Sequence, residues 1–348
     1  MSAINKLLDY TIIGIEMLFK NINYKYLLGF ALALILLVGL LFFIINSIST
    51  VSEENQNIFS YTVKVRDSVE DLDKIFERAE VNVNVMVEAI SNSYDADKQK
   101  NEAYNMQFVN GMNGLIKSVL ANSPGVDGSW FQLNADLPFS ARAYNWYEFR
   151  ENQFLDVKDR FEGTPSMDRK ITPEDDPYYF DAITNQKPAW SDIYTDADTK
   201  NSMMTISAPI YKEGVLVGVV GIDISVANLQ QSLQNMRSVL GDSELYLLDK
   251  VNKVILSQPL FDSSSAKNKY SFLDLFKENK EGPIEYYDQL TKKTAIKLTL
   301  SNDYKIVVAI ENNVLFSETK KLVNIIYILF ALLLISTIIT LATNILKV

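Results

Sequence analysis

The residues best suited to chemistry lie in one stretch, ITPEDDPYYFDAITNQKPAWSDIYTD at 171–196, which crowds carboxylates among aromatic rings with one lysine and no arginine. Such a mixture suits a positively charged group, because carboxylates attract a cation and ring faces add about 0.5–2 kcal/mol each through cation–π contact. The plainer alternative is a solvated acidic loop. A further acid, Asp223, interrupts the apolar run VGVVGIDI, where an unpaired charge is costly.

Other chemistries are excluded by composition. The chain of 348 residues has no cysteine and no histidine, which removes thiolate chemistry, disulfides and the usual His and Cys metal ligands. A net charge of -10 argues against nucleic acid as a partner. There is no glycine-rich phosphate loop, no G-x-S-x-G elbow and no metal constellation, so no enzyme and no cofactor are expected.

Several elements must position these acids. Val65, Val69, Leu72, Ile75, Phe76, Ala79, Val83 and Val87 recur at spacings of three and four, which predicts an amphipathic helix without a stop signal over 50–94. A second helix is expected over 101–121. VDGSWFQLN, MMTISAPIY and VLVGVVGIDISV read as strands, the last two as a hairpin about Glu213–Gly214. A helix over 227–240 separates them from a second set: SELYLLDK, KVILSQ, PIEYYDQ, KTAIKLTL and YKIVVAIE.

Two uncharged runs flank this middle, at Leu27–Ile45 and Leu322–Leu346. Each matches the ~20 residues of a membrane-crossing helix. Two spans are therefore expected. Lys6, Lys20 and Lys25 before the first, against Glu53 and Glu54 after it, put the N-terminus inside. The expected product is a multi-pass cell-membrane protein with an extracytoplasmic central domain and the bilayer as a partner. With little chain after the second run, the expectation is either a truncated receptor or a chain that passes its signal by pairing with a separate membrane signalling partner.

The hairpin SAPIYKEGVLVGVVGIDIS, preceded by Pro177-Tyr178-Tyr179, Trp190 and the Tyr194-x-Asp196 pair, resembles the double Cache sensor domains of bacterial chemoreceptors and sensor kinases. The resemblance covers about 50 to 320. It implies an α+β fold with a long spine helix followed by two tandem PAS-like (Cache) units, here framed by two transmembrane helices. The implied divisions are 1–26, an inner segment; 27–47, a first span; 50–121, spine and second helix; 122–235, the membrane-distal ligand-binding unit; 236–318, the proximal unit; and 322–346, a second span.

It also implies a site. Many such domains hold an amino acid by an arginine two residues before a Trp-Tyr pair, which grips the carboxylate. A Tyr-x-Asp and a later aspartate hold the ammonium. Here Tyr179, Tyr194, Asp196 and Asp223 match the amine half, while Asp176 replaces the arginine and Tyr178 the tryptophan. An aspartate offers no donor fork and repels an anion. The implied ligand is an amine, either a polyamine or a quaternary amine, sensed by a homodimeric transmembrane receptor of the methyl-accepting type.

Trp130, with Gln132 or Asn134, is a candidate wall, and Trp190 a candidate lid. The alternatives are definite. Asp223 could cap the following helix, and Asp198 could replace Asp196. Asp176 could be the N-cap of a helix that Pro177 begins. Arg142, in FSARAYNWYEFRENQ, could restore carboxylate binding and make the ligand an amino acid. The remaining readings are a histidine kinase sensor or an orphan structural membrane protein.

Overall fold

The computed structural model describes residues 24–134, 136–138, 144–150, 153–156, 171–197, 199–259 and 282–346. Residues 1–23, Arg142, Asp198 and residues 260–281 lie outside the described residues. The chain divides into two compact units, Tyr61–Val314 and a pair of helical ends up to Ser60 and from Leu315.

In order, the helices are α1 (Tyr24–Ser93), α2 (Glu102–Gly111), α3 (Asn113–Ala121), α4 (Pro177–Asn185), α5 (Val226–Leu240), α6 (Asn312–Leu315) and α7 (Ser317–Leu346). The strands are β1 (Gly128–Leu133), β2 (Tyr144–Arg150), β3 (Gln153–Asp156), β4 (Ala189–Trp190), β5 (Tyr194–Thr195), β6 (Ser202–Lys212), β7 (Val215–Ser225), β8 (Glu244–Leu248), β9 (Val254–Gln258), β10 (Gly282–Asp288), β11 (Thr291–Thr299) and β12 (Lys305–Glu311).

The expectation of two membrane spans is corrected. Both apolar runs are helical, within α1 and α7, but among the described residues no helix is long and apolar enough to cross a membrane. A crossing takes about 20 consecutive apolar residues in one helix. With the spans go the transmembrane framing of the fold, the transmembrane-receptor function, the bilayer as a partner and the multi-pass membrane localisation. In the unit of helical ends, Phe42 stacks on Phe330 at 4.2 Å between ring centroids, nearly parallel.

Within the larger unit the spine is built as its spacing demands. Val65, Val69, Leu72, Phe76, Ala79, Val83, Met86 and Ile90 are all buried, alternating by four and three along one face of α1. Met86 takes the place on this seam expected of Val87, which is half-buried. Burying each large apolar side chain favours folding by about 1.5–3 kcal/mol, so this seam outweighs any local helix preference.

The first sheet runs β3-β2-β1-β7-β6-β4, with β5 also on β6, and every pairing is antiparallel. The β6–β7 hairpin closes through Glu213 (φ 52°) and Gly214 (φ 82°), two positive-φ positions in succession. That backbone matches the twist of the strands, and the glycine adopts it without penalty. Successive side chains alternate between two faces. One face, with Ser129, Phe131, Ile206 and Ile222, is turned toward the spine, where the Ser129 hydroxyl meets Met86 Sδ at 3.5 Å. The other carries Gly128, Trp130, Gln132, Trp146, Thr205, Gly221 and Asp223, and α4 packs over it.

The second sheet runs β10-β11-β12-β8-β9, again antiparallel, around Tyr246, Leu248, Tyr286, Ala295, Val307 and Ala309. Its buried Lys293 bonds Asp288 at 2.7 Å and Glu244 at 3.0 Å. Burial pulls the Lys293 pKa down, but these two carboxylates outweigh it and hold the group above its ordinary value. Phe76 joins the two sheets. Its ring meets Trp190 edge-on at 5.2 Å and Tyr304, the residue before β12, at 6.5 Å, while the Tyr304 hydroxyl donates to the Ser191 carbonyl.

Candidate functional site

A small cavity opens on the α4 face of the first sheet, lined by Trp130, Gln132, Trp146, Tyr178, Tyr194, Asp196 and Asp223. Its volume of about 20 Å³ is room for about one water molecule. A larger occupant must displace side chains as it enters.

Register brings most of these residues together. Trp130 pairs across to Trp146 on one side and Gly221 on the other, so both indoles and the Gly221 backbone share a face. A Cβ on Gly221 would lie 2.2 Å from the Trp130 ring, so only glycine lets that indole lie flat on β7. Trp130 in turn meets the Tyr178 ring at 5.2 Å, and Tyr178 meets Tyr194 at 5.1 Å.

Asp223 is the electrostatic centre. It is 2% exposed, and its Oδ1 accepts from Trp130 Nε1 at 3.0 Å and from the Thr205 hydroxyl at 2.7 Å. Since Thr205 donates to Asp223, the Tyr194 hydroxyl 2.7 Å away must donate to Thr205. The result is a relay from Tyr194 through Thr205 to Asp223. Oδ2 has no hydrogen-bond partner among the described residues. Burial pushes the Asp223 carboxyl up to about 7, against the pull of Thr205 and Trp130, with Asp196 and Asp127 adding repulsion. Burial likewise pushes the Tyr194 phenol well above its usual value, with Asp223 as the next cause. Asp223 does not cap α5; the Ser225 side chain does, accepting from Asn228 N at 3.1 Å.

The other expected residues fall into two groups. Asp196 lines the cavity, and its Oδ2 also accepts from the Thr199 backbone and hydroxyl, which ties down the turn after β5. Tyr178 and Tyr194 line it as well. Asp176 lies behind Tyr178, fully buried. It accepts from the Tyr178 hydroxyl and from Thr172 N, both at 3.0 Å, so it acts on the cavity by aiming that ring. It also stands at the N-cap of α4 with Pro177 at the helix start, without a side-chain capping bond. Tyr179 is buried in the core under α4, outside the lining.

Trp190 is not a lid. It pairs with Ile206 on the spine face, and its Nε1 donates to Glu80 of α1 at 2.7 Å. Of the two upstream polar candidates, Gln132 lines the cavity and Asn134 bonds the Leu216 carbonyl instead. Sequence reasoning did not single out Thr205 or Gly128. The alternation of strand faces that places Asp223 inward would have placed Thr205 with it, had the register been known. Among the described residues no group of three or more acids could hold a metal ion.

Residues 112–231 match the methyl-accepting chemotaxis protein-like first PDC sensor domain. The fold is that of a Cache/MCP-like sensor domain. The ligand-binding domain of the Campylobacter jejuni chemoreceptor Tlp3, in complex with 4-methylisoleucine, is 15% identical with a TM-score of 0.53, covering 75% of this chain and 93% of its own. The sensory domain of the same chemoreceptor in another structure gives 15% identity and a TM-score of 0.53, over 77% and 99%. The extracellular domain of a protein assigned as a histidine kinase reaches 18% and a TM-score of 0.54, over 78% and 99%. No curated protein matches the chain in sequence.

Within this Cache/MCP-like fold the cavity occupies the unit matched as the first sensor domain, since all seven lining residues fall inside 112–231.

Proposed function

We propose that this chain is a double Cache sensor module that binds a small cationic amine in the cavity of its first sheet. One observation carries the reading: the buried carboxylate of Asp223 keeps an oxygen without a hydrogen-bond partner among the described residues. The lining around it supplies Asp196 and four aromatic rings, and none of the described lining residues is cationic. A buried acid in that state is stabilised by an entering cation, through charge and through the missing hydrogen bond. The aromatic walls add cation–π attraction. The second, five-stranded sheet supports the double arrangement.

An α-amino acid is the second reading, favoured by the ligand in the Tlp3 structure. It needs a cation for the carboxylate, and Arg142, the candidate from the sequence, lies outside the described residues.

The test is calorimetric titration of the purified chain with putrescine, ethanolamine, propylamine, choline, betaine and an amino acid panel. Binding of primary amines, lost in Asp223→Asn, is expected. Binding of α-amino acids alone overturns the amine reading.

A further inference from the structure

Two buried polar atoms of the cavity, Trp146 Nε1 and Asp223 Oδ2, have no hydrogen-bond partner among the described residues. Trp146 is 7% exposed and Asp223 2%, and both line the cavity. They face one gap. A Cβ on Gly128 would lie 2.9 Å from each of them, so the glycine keeps open a space that any other residue would fill.

The chemistry of the gap is asymmetric. The indole nitrogen only donates, and an ionised carboxylate only accepts. A lone ammonium satisfies Asp223 and leaves the buried Trp146 N–H bare, a state that folded proteins avoid. A quaternary ammonium offers Oδ2 no N–H at all. A carboxylate beside the ammonium would satisfy the indole but set a second anion among Asp223 and Asp196, with no cation in the described lining. An uncharged oxygen beside the ammonium satisfies both atoms without that repulsion.

We propose that Trp146 and Asp223, across the gap that Gly128 keeps open, form a subsite for a 1,2-amino alcohol, with the ammonium on Asp223 and the hydroxyl on Trp146. This rests on the amine reading above and narrows its ligand class. It makes Trp146 and Gly128 determinants of specificity within the cavity.

The test compares ethanolamine, propylamine and glycine by calorimetry on the full chain. Propylamine replaces the hydroxyl by a methyl group, and glycine replaces the hydroxymethyl group by a carboxylate. Ethanolamine is expected to bind about tenfold more tightly than propylamine, the effect of one buried hydrogen bond, and more tightly than glycine. In Trp146→Phe the ratio of ethanolamine to propylamine affinity falls to near one. Should that variant fail to fold by circular dichroism, the ratio of ethanolamine to propylamine affinity in the native chain is itself the readout. Equal binding of the two amines to the native chain overturns the subsite and leaves the amine reading standing. Tighter binding of glycine, or an undiminished preference in folded Trp146→Phe, also overturns it. Binding of no amine overturns both.

Discussion

Thr205 Oγ1 stands 2.7 Å from Asp223 Oδ1, directly across the β6–β7 register, where the two residues are paired. One hydroxyl thereby donates to the central acid and accepts from Tyr194. Replacing it by valine conserves shape but removes both bonds.

Thr205→Val is therefore expected to cost about 1.5–3 kcal/mol, the range for a bond to a charged group. It also leaves the Tyr194 hydroxyl without its acceptor. The Asp223 pKa should rise further, since the bond that favoured the ionised form is gone. Urea unfolding measures the first effect, and the carboxyl carbon chemical shift of Asp223 against pH measures the second.

Stability should depend on pH through Asp223. Its folded pKa of about 7 lies above the ordinary 3.8, so between these values the folded chain holds a proton that the unfolded chain has released. The contribution is fully present below about 4 and is lost as pH rises to about 7. Asp223→Asn should flatten that part of the stability profile, as read by denaturation at a series of pH values. A profile unchanged by the substitution would contradict the burial of an ionisable group there.

Amine affinity should run the opposite way with pH. A cation favours the ionised carboxylate, so affinity rises by about tenfold per unit below the Asp223 pKa and levels off above it. Calorimetry in buffers of different ionisation enthalpy should show proton release on binding at pH 6 and little at pH 8.

Gly221→Ala should damage the site through packing alone. Its methyl group would meet the Trp130 ring at 2.2 Å, and the indole would have to leave β7 and its bond to Asp223. Overpacking of this kind costs about 1–3 kcal/mol. The loss is read in the unfolding midpoint, together with a shift in tryptophan fluorescence.

Trp190→Phe separates the spine face from the cavity face. It removes the bond to Glu80, which should lower stability by about 1 kcal/mol. Amine affinity should stay within about twofold, because Trp190 does not line the cavity. A large loss of affinity would show that the two faces are coupled through Phe76.

Much of the scaffold was legible in the residues. The spine seam follows from three-and-four spacing, which requires no knowledge of what it packs against. The β6–β7 hairpin follows from two apolar runs around Glu213–Gly214, a local signal. The apolar runs at the ends were read correctly as helical and wrongly as spans. Asp223 stood out because an acid within VGVVGIDI has no cheap explanation.

The acidic stretch at 171–196 was harder, because burial is not a local property. By itself the sequence determined that acids and rings crowd this region, that no histidine or cysteine chemistry operates, and that β7 carries one charge in an apolar strand. Only the tertiary structure decided which acid faces the cavity and which residues share it. Asp176 turned behind Tyr178, Trp190 turned to the spine, and Trp146 and Thr205 came in beside Asp223. Strand side chains alternate with a period of two, so pairing across β2, β1, β7 and β6 chooses the face of every residue, and those pairings join positions far apart in the chain.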